Sequence, residues 1–275
     1  MKIIALDLDG TLLTHDKKLT DRTRRALTAA SKQGNWIVPA TGRALKAIPE
    51  EVLSLPFLRY VISINGASVS DEQTRERLYS ADIPKRIALE LMAFAKRYDC
   101  MYDCYWQDTG WSNRSFLERI RYYNSDEEVI RLIRMSRQPV DDLERMISER
   151  AESVQKVQLC FRDMKEREAA WQEIEETFPE IVVTSSFRNN LELNARGADK
   201  GLALRFLARH LGLSENDTYA FGDSTNDLAM LRAAGTGVAM GNAAERIRQS
   251  ADAVTDTNEN DGVAKYIEEH ILLSS

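Results

Sequence analysis

The sequence has few of the residues that mark disulfide-rich and zinc-binding proteins. Its 275 residues include three cysteines and three histidines. Cys100, Cys104 and Cys160 are too few for a disulfide scaffold, and neither they nor the histidines have the spacing of a zinc site. We therefore expect three buried thiols. Because no secretory signal is visible at the N-terminus, the expected compartment is a reducing cytoplasm.

The sequence also lacks long apolar runs and an excess of positive charge. No run approaches the ~20 apolar residues that span a bilayer, and the mean hydropathy is −0.40. Lysine and arginine number 37 against 43 aspartates and glutamates, for a formal net charge of −6. These properties argue against a membrane protein and against a protein that binds the phosphate backbone of nucleic acids. They leave a globular chain of one large or two ordinary domains.

The two ends of the chain alternate between predicted strands and helices. Continuous apolar runs at Ile3–Leu6, Trp36–Pro39 and Tyr60–Ile64 have the pattern of strands buried on both faces. The capped stretch from Thr20 to Gln33 lies between the first two and predicts a crossover helix. The C-terminal part repeats this order, with helices predicted at Gly201–Leu211, Asn226–Ala234, Ala243–Ser250 and Gly262–Ile271 and strands at Thr218–Phe221, Gly237–Met240 and Ala253–Thr255. Such alternation predicts an α/β fold with a parallel sheet.

The middle of the chain is organised differently, with helices and strands grouped and with more arginine, glutamate and aromatic residues. We interpret residues 83–188 as an inserted α+β domain. Residues 1–82 and 189–275 then form the two parts of the core. The Arg-rich stretch from Arg114 to Arg137 is interrupted by acidic residues, and we predict that it is a solvated helical face.

Two aspartates, Asp7 and Asp9, follow the first predicted strand directly. Ligands bind at this end of the strands in open parallel sheets. A strand would point both carboxylates to the same side, where each would raise the pKa of the other unless a cation lay between them. A hard divalent ion with oxygen ligands resolves this conflict, and Mg²⁺ is the usual choice beside phosphate. The alternative is a pair of acids that caps the turn before Gly10.

A second acidic cluster, from Gly222 to Asp227, follows another predicted strand and precedes a helix. Acidic groups at the ends of parallel strands can share one metal ion, with Asp223 as a ligand and Asp227 holding waters or orienting the other ligands. Helix capping by Asp223 or Ser224 is the alternative. Capping accounts for one of these residues but not for the whole cluster.

Residues suited to a phosphoryl group lie between the two acidic clusters. Thr41, Gly42 and Arg43 end the second predicted strand, and Lys200 begins a predicted helix. They offer a hydroxyl, an accessible backbone N–H and an ammonium group, which together suit the oxygens of a phosphoryl group. Taken singly, Thr41 would be a turn residue and Lys200 a surface lysine. The combination with the acids predicts a phosphoryl-transfer site.

These motifs resemble those of the haloacid dehalogenase (HAD) superfamily, and more narrowly the Cof-type phosphatases with a C2-type cap. The resemblance covers essentially the whole chain, through Asp7–Leu13, Ala40–Arg43, Lys200-Gly201 and Gly222–Asp227. Three further segments are similar to this subgroup: Asn65-Gly66-Ala67, Met240-Gly241-Asn242-Ala243 and the segment from Thr257 to Ala264. The resemblance implies an α/β fold with a HAD-like Rossmannoid parallel sheet and an inserted α+β cap.

The resemblance also implies a mechanism. Asp7 would attack phosphorus and form an aspartyl-phosphate, while Asp9 would protonate the leaving group and later deprotonate water. Mg²⁺ would be held by the Asp7 carboxylate, the Asp9 backbone carbonyl and Asp223, with Asp227 supporting it from the edge. The phosphoryl oxygens would be bound by Thr41, Gly42, Lys200 and Asn226. Family members that hydrolyse phosphate esters have the second aspartate, so Asp9 favours a phosphatase.

The implied substrate is a small phosphorylated metabolite, such as a sugar phosphate or a nucleotide or cofactor phosphate. Arg43, Arg188 and Asn189 are the candidates for contact with the leaving group. Two other functions stay open. A phosphomutase would use the same aspartyl-phosphate, and a non-catalytic phosphoacceptor or phosphometabolite-binding protein would need neither Asp9 nor an insert of this size. No oligomeric state is predicted.

Overall fold

The computed structural model describes residues 1–185 and 187–272. Within these ranges the chain forms two compact units. The first contains Met1–Arg43, Ile48–Ser80 and the described part of Ala198–Ser275, and the second contains Ala44–Ala47 and Ala81–Gly197. No helix in the described ranges has the length and apolar character that crossing a membrane requires.

The secondary structure follows the predicted order of elements at both ends of the chain. The strands are β1 (Ile3–Leu6), β2 (Trp36–Pro39), β3 (Tyr60–Ser63), β4 (Ser68–Asp71), β5 (Glu76–Ser80), β6 (Ile83–Pro84), β7 (Cys100–Trp106), β8 (Thr109–Asn113), β9 (Arg137–Val140), β10 (Ser153–Val154), β11 (Lys156–Phe161), β12 (Ile181–Thr184), β13 (Asn190–Ala195), β14 (Thr218–Gly222), β15 (Thr236–Ala239) and β16 (Ala253–Val254). The helices are α1 (Asp21–Lys32), α2 (Glu50–Leu53), α3 (Lys85–Ala95), α4 (Arg114–Glu118), α5 (Ile120–Tyr123), α6 (Glu127–Ser136), α7 (Leu143–Arg150), α8 (Met164–Thr177), α9 (Lys200–His210), α10 (Leu228–Ala233), α11 (Glu245–Arg248) and α12 (Gly262–Tyr266).

A parallel five-stranded sheet forms the centre of the first unit, in the order β16-β15-β14-β1-β2. All four residues of β1 are fully buried, as its continuous apolar run predicts. This strand pairs with β14 on one side and β2 on the other, and Leu6 is in register with both Phe221 and Pro39. The carboxyl ends of these three strands therefore lie side by side at one edge of the sheet.

Strand β3 departs from the parallel pattern that its apolar sequence suggested. One parallel bridge joins Ala40 to Ile62, but β3 otherwise pairs antiparallel with β4, and β4 pairs with β5. These last two strands were not predicted from the sequence. Ser68–Asp71 has one apolar residue among polar ones although all four are buried, so its pattern does not identify a strand.

The second unit contains a six-stranded sheet in the order β12-β13-β11-β7-β8-β9. Its apolar core includes Leu91 of α3, Ile147 of α7, Leu159 of β11 and Ile174 of α8. The predicted insert ended at residue 188, but β13 pairs with β11 and β12 in this sheet. The second unit therefore continues to Gly197, beyond the predicted boundary. Cys100, Cys104 and Cys160 also lie in this unit and are free and buried, as predicted.

Arg137 corrects the prediction of a solvated face over residues 114–137. Its side chain is only 4% exposed, and its Nε donates to Asp103 Oδ2 at 2.9 Å. Burial raises the pKa of Asp103, while the charge of Arg137 opposes that increase. A second buried pair, between Lys156 and Glu192 at 3.0 Å, lies in the same sheet. A buried charge is tolerated when it is paired.

We expect Arg137→Met to lower the free energy of unfolding by about 3–5 kcal/mol, because it leaves the Asp103 carboxylate buried without its cation. Denaturant titration measures this loss. Arg145→Met is the matched control, since Arg145 is exposed and its Glu149 partner lies one helical turn away. That change should cost no more than about 0.5 kcal/mol. Equal effects of the two substitutions would contradict a structural role for the buried pair.

Candidate active site

Three carboxylates meet at the carboxyl edge of the parallel sheet. Asp7 follows β1, and Asp223 and Asp227 follow β14. One oxygen from each lies within 4.8 Å of the others. The pairing of the two strands produces this arrangement, since the Asp7 backbone N–H also donates to Phe221 O at 3.0 Å. Asp7 and Asp227 are buried, while Asp223 is partly exposed.

Lys200 joins two of these carboxylates. The Asp199 side chain accepts from Leu202 N and caps α9, which places Lys200 at the first helical position. The Lys200 Nζ donates to Asp7 Oδ1 at 2.6 Å and to Asp227 Oδ1 at 2.7 Å, and its side chain is fully buried. Burial alone would lower the pKa of Lys200, but Asp227 and Asp7 raise it above its ordinary value. The ammonium therefore stays charged at neutral pH.

The single positive charge of Lys200 does not neutralise the negative charges of the three carboxylates. Burial raises the pKa of Asp7 well above its ordinary value, and the charge of Asp227 adds to this increase, while Lys200 opposes it. Burial also raises the pKa of Asp223. The ionised cluster of three carboxylates and Lys200 has a formal charge of −2. A divalent cation would neutralise that charge, and carboxylate oxygens are the donors that hard cations prefer, so the donor set fits Mg²⁺.

Local backbone geometry sets the direction of Asp227. Its Oδ2 accepts from Asp223 N at 3.1 Å and from Ser224 N at 3.0 Å. Gly222 is required at the end of β14, because a Cβ there would lie 2.4 Å from the Cβ of Asp227. Thr11 donates to Asp223 Oδ1 at 2.8 Å, which orients the more exposed carboxylate.

Asp9 lies between two cations. Arg43 donates to Asp9 through Nε and Nη2, both at 2.7 Å, and Lys17 Nζ lies 2.9 Å from Asp9 Oδ1. Burial alone would raise the pKa of Asp9, but hydrogen bonds and charge from Arg43 and Lys17 outweigh it and lower the value to about 2. The Asp9 side chain is 40% exposed and is ionised at neutral pH in this arrangement.

The predicted phosphate-binding residues also lie at this edge. Thr41 is buried, and its hydroxyl accepts from Arg43 N at 3.2 Å. A Cβ at Gly42 would lie 2.7 Å from Asn65 Oδ1 and 3.7 Å from Asn226 Nδ2. Asn226 Nδ2 itself donates to Asn65 Oδ1 at 3.1 Å. Asn65 therefore brings the loop after β2 and the loop after β14 together.

Comparison with known proteins identifies the family. A family model described as haloacid dehalogenase-like hydrolase matches residues 4–267. The chain belongs to the haloacid dehalogenase-like hydrolases. The predicted family and fold class are therefore confirmed.

Relatives of this haloacid dehalogenase-like hydrolase are phosphatases. Phosphatase YwpJ of Bacillus subtilis is 34% identical, over 99% of this chain and 100% of that protein. The 5-amino-6-(5-phospho-D-ribitylamino)uracil phosphatase YcsE of the same organism is 30% identical, over 99% of this chain and 96% of that protein. A solved haloacid dehalogenase-like hydrolase from B. subtilis has a TM-score of 0.84 and 31% identity, and covers 98% of this chain and 100% of its own. The chain is a phosphoric monoester hydrolase.

Two of the predicted substrate contacts of this hydrolase lie in the second unit. Arg188 is exposed. Asn189 is half-buried, and its Nδ2 donates to Tyr123 O at 2.9 Å and to Phe161 O at 3.1 Å. The Asn189 side chain therefore holds neighbouring segments of the second unit together. The third candidate, Arg43, lies in the first unit and binds Asp9.

Three residues at the site of this haloacid dehalogenase-like hydrolase had no role predicted from the sequence: Thr11, Lys17 and Asn65. Asn65 carried a local signal, because an Asn-Gly pair favours positive φ, and Asn65 and Gly66 adopt φ values of 55° and 91°. No local sequence signal identifies the partners of Thr11 and Lys17, since only the tertiary fold brings them to Asp223 and Asp9.

Proposed function

We propose that the chain hydrolyses phosphate monoesters of small metabolites through an aspartyl-phosphate on Asp7. The main support for this proposal is the hydrogen bond from Lys200 to Asp7, next to Asp223 and Asp227. The charge of a lysine favours the ionised form of a buried carboxylate, which is the form that a nucleophile needs. An Asp7 oxygen would attack phosphorus while the bond from phosphorus to the leaving oxygen breaks. Water would then attack the phosphorus of the aspartyl-phosphate, releasing phosphate and restoring Asp7.

Asp9 is the proposed acid and base in these two steps. Once substrate binding releases it from Arg43, the Asp9 carboxylate would take up a proton from solvent, because the Arg43 contacts that lower its pKa are then lost. It would give this proton to the leaving alkoxide and then take one from the attacking water. Arg43 uses Nε and Nη2 on Asp9, so a phosphoryl group or a leaving group that took these two donors would displace the Asp9 carboxyl. We therefore propose that substrate binding and release of the Asp9 carboxyl occur together.

The phosphoryl oxygens would be held by four groups at the same edge of the sheet as the carboxylate cluster. We propose the Thr41 hydroxyl, the Gly42 backbone, the Lys200 ammonium and the Asn226 amide for this role. Their positions at the ends of β2 and β14 and at the start of α9 support it. The narrow space between Gly42 and Asn65 would not admit a side chain at residue 42.

Mg²⁺ is the proposed cofactor. The Asp7 and Asp223 carboxylates and the Asp9 backbone carbonyl would hold it, with Asp227 supporting it from the edge. When bound, the ion would supply positive charge that offsets the repulsion between Asp7 and an anionic phosphate. The charge of −2 on the ionised cluster with Lys200 supports a divalent ion.

The proposed substrates are sugar phosphates or nucleotide and cofactor phosphates. One relative acts on 5-amino-6-(5-phospho-D-ribitylamino)uracil, which combines a sugar-like chain with a nucleobase-like ring. Arg43, Arg188 and Asn189 remain the proposed contacts with the leaving group, although Asn189 would first exchange bonds within its own unit. The three free thiols support a reducing compartment such as the cytoplasm as the place of action.

A phosphate-release screen tests this function. We expect the chain with Mg²⁺ to release phosphate from several members of a panel of sugar phosphates, nucleotides, pyridoxal 5′-phosphate and the ribitylamino-uracil phosphate. Chelation with EDTA should lower kcat/KM at least ~100-fold, because metal stabilisation of transition-state charge amounts to several kcal/mol. Mg²⁺ should also raise the Tm of the protein, and Asp223→Asn should remove that increase.

The same assays separate the alternative functions. An isomerised sugar phosphate without free phosphate would indicate a phosphomutase. A long-lived phosphorylated Asp7 with negligible turnover would indicate a phosphoacceptor. Unchanged activity in EDTA would contradict the metal assignment.

A further inference from the structure

Two asparagines outside the carboxylate cluster hold the loop that carries Asp9. Asn242 Nδ2 donates to the backbone carbonyl of Gly10 at 2.8 Å. Asn258 Nδ2 donates to the carbonyl of Leu13 at 2.9 Å. The two asparagines are also joined to each other, because Asn258 N donates to Asn242 Oδ1 at 3.1 Å. Both belong to segments that the sequence analysis singled out without assigning them a role.

Backbone hydrogen bonds also hold the loop from Asp7 to Leu13. Thr11 N donates to Leu8 O at 3.4 Å, Leu12 N to Asp7 O at 3.1 Å and Leu13 N to Leu8 O at 2.9 Å. Gly10, directly after Asp9, has a φ of +83°, a conformation that glycine adopts without strain. The bond from Asn242 adds a restraint from outside the loop on the peptide that follows Gly10.

The two asparagines connect this loop to the segments that follow β15 and β16. Asn242 follows β15, and the adjacent Gly241 N donates to Asp256 O at 3.1 Å. Asn258 follows β16 in a turn where the Thr257 side chain accepts from Asn260 N. The loop beside the nucleophile is thus tied to the ends of two further strands of the same sheet.

We infer that Asn242 and Asn258 are positioning residues that fix the Asp9 carboxyl relative to Asp7. This inference rests on the proposed function, in which Asp9 protonates the leaving group. An aspartate at either position has nearly the same shape but cannot donate, so it would place a carboxylate against a backbone carbonyl. Asp9 would then be misplaced although Asp7, Lys200 and the carboxylate cluster are unchanged.

Substrates with different leaving groups would reveal such a defect, because they differ in how much they depend on acid catalysis. An alkyl phosphate needs a proton on its departing oxygen, whereas p-nitrophenyl phosphate releases a stabilised anion and needs little acid catalysis. Because Asp9 also acts as the base in the second step, which is common to all substrates, the first step is measured alone, as single-turnover release of the leaving group. We expect N242D and N258D to lower this rate about 10–100-fold on an alkyl phosphate, in the lower range of what an acid contributes. On p-nitrophenyl phosphate the loss in the first step should be below about threefold.

Asn260→Asp provides the matched control. Asn260 lies in the same turn, and its side chain donates to Asp256 Oδ1 rather than to the loop of Asp9. This variant should leave both rates close to those of the unchanged protein. Where an aspartate variant does not fold, as judged by its thermal transition, N242A or N258A removes the donor without adding charge and should give the same selective loss.

Equal losses in the first-step rate on the two substrates, or no loss on either, would overturn the positioning role. Failure of the unchanged protein to hydrolyse either phosphate would instead contradict the proposed function, so the two failures can be told apart.

Discussion

Asp7→Asn is expected to reduce phosphate release by at least about 10⁴-fold, because it removes the atom that attacks phosphorus. The fold should be retained. Asparagine has nearly the shape of aspartate, and Lys200 keeps its contact with Asp227. Burial already raises the pKa of Asp7, so loss of this charge relieves repulsion within the cluster. We expect the Tm to be unchanged or slightly higher.

The measurement is single-turnover and steady-state release of phosphate with Mg²⁺, together with circular dichroism and thermal unfolding. Asp16→Asn serves as the control, because Asp16 is an exposed acid in the same N-terminal region. It should keep full activity. Substantial hydrolysis by Asp7→Asn, with the same product as the unchanged protein, would show that another group is the nucleophile.

Lys200→Met is expected to lower both stability and activity. The substitution leaves two buried carboxylates without the ammonium that joins them, and breaking a buried ion pair in this way costs about 3–5 kcal/mol. Adding Asp227→Asn should restore part of this loss, because it removes one of the uncompensated charges. Phosphate release should fall in both variants, since Lys200 is also a proposed ligand of the phosphoryl group.

The stability loss in Lys200→Met should depend on pH. Lys200 opposes the increase in the pKa of Asp7, so its removal moves that pKa further upward. A carboxyl with a raised pKa binds more protons in the folded than in the unfolded state, and stability then falls as pH rises. The fall begins near the unfolded value of about 4 and continues through the raised folded value.

Urea unfolding at pH 5 and pH 8 measures this dependence, and the deficit should be larger at pH 8. Lys165→Met is the control, since Lys165 is exposed in the first turn of α8. A deficit that is equal at both pH values would contradict the assignment of this dependence to Asp7. Mg²⁺ should raise the Tm of Lys200→Met by more than that of the unchanged protein, because the ion compensates the missing charge.

Much of the first unit could be predicted from local sequence because its strands are buried on both faces. The run Ile3–Leu6 identified β1, and the position of Asp7 at its end followed from the geometry of parallel sheets. The meeting of Asp7 with Asp223 and Asp227 was predicted on the same grounds and is present in the structure.

Other features depend on contacts that no local pattern encodes. Arg137 lies in a charged stretch of sequence, yet it is buried, and its Nε donates to Asp103, 34 residues away. The end of the second unit was missed because β13 is identified as part of that sheet only by its partners β11 and β12. Lys200 was predicted to bind phosphate, but its bonds to two carboxylates required knowledge of where α9 begins.

The place of β1 in the sheet affects the order in which the protein can fold during synthesis. Ile3 pairs with Thr218, so β1 leaves the ribosome long before its partner β14 exists. At translation rates of roughly 5–20 residues per second, this wait lasts on the order of ten to forty seconds. The strands of the second unit are all translated within that interval. A nascent chain therefore completes the sheet that carries Asp7 only near the end of translation. Until then the fully apolar strand β1 lacks its partner β14 and is prone to aggregation.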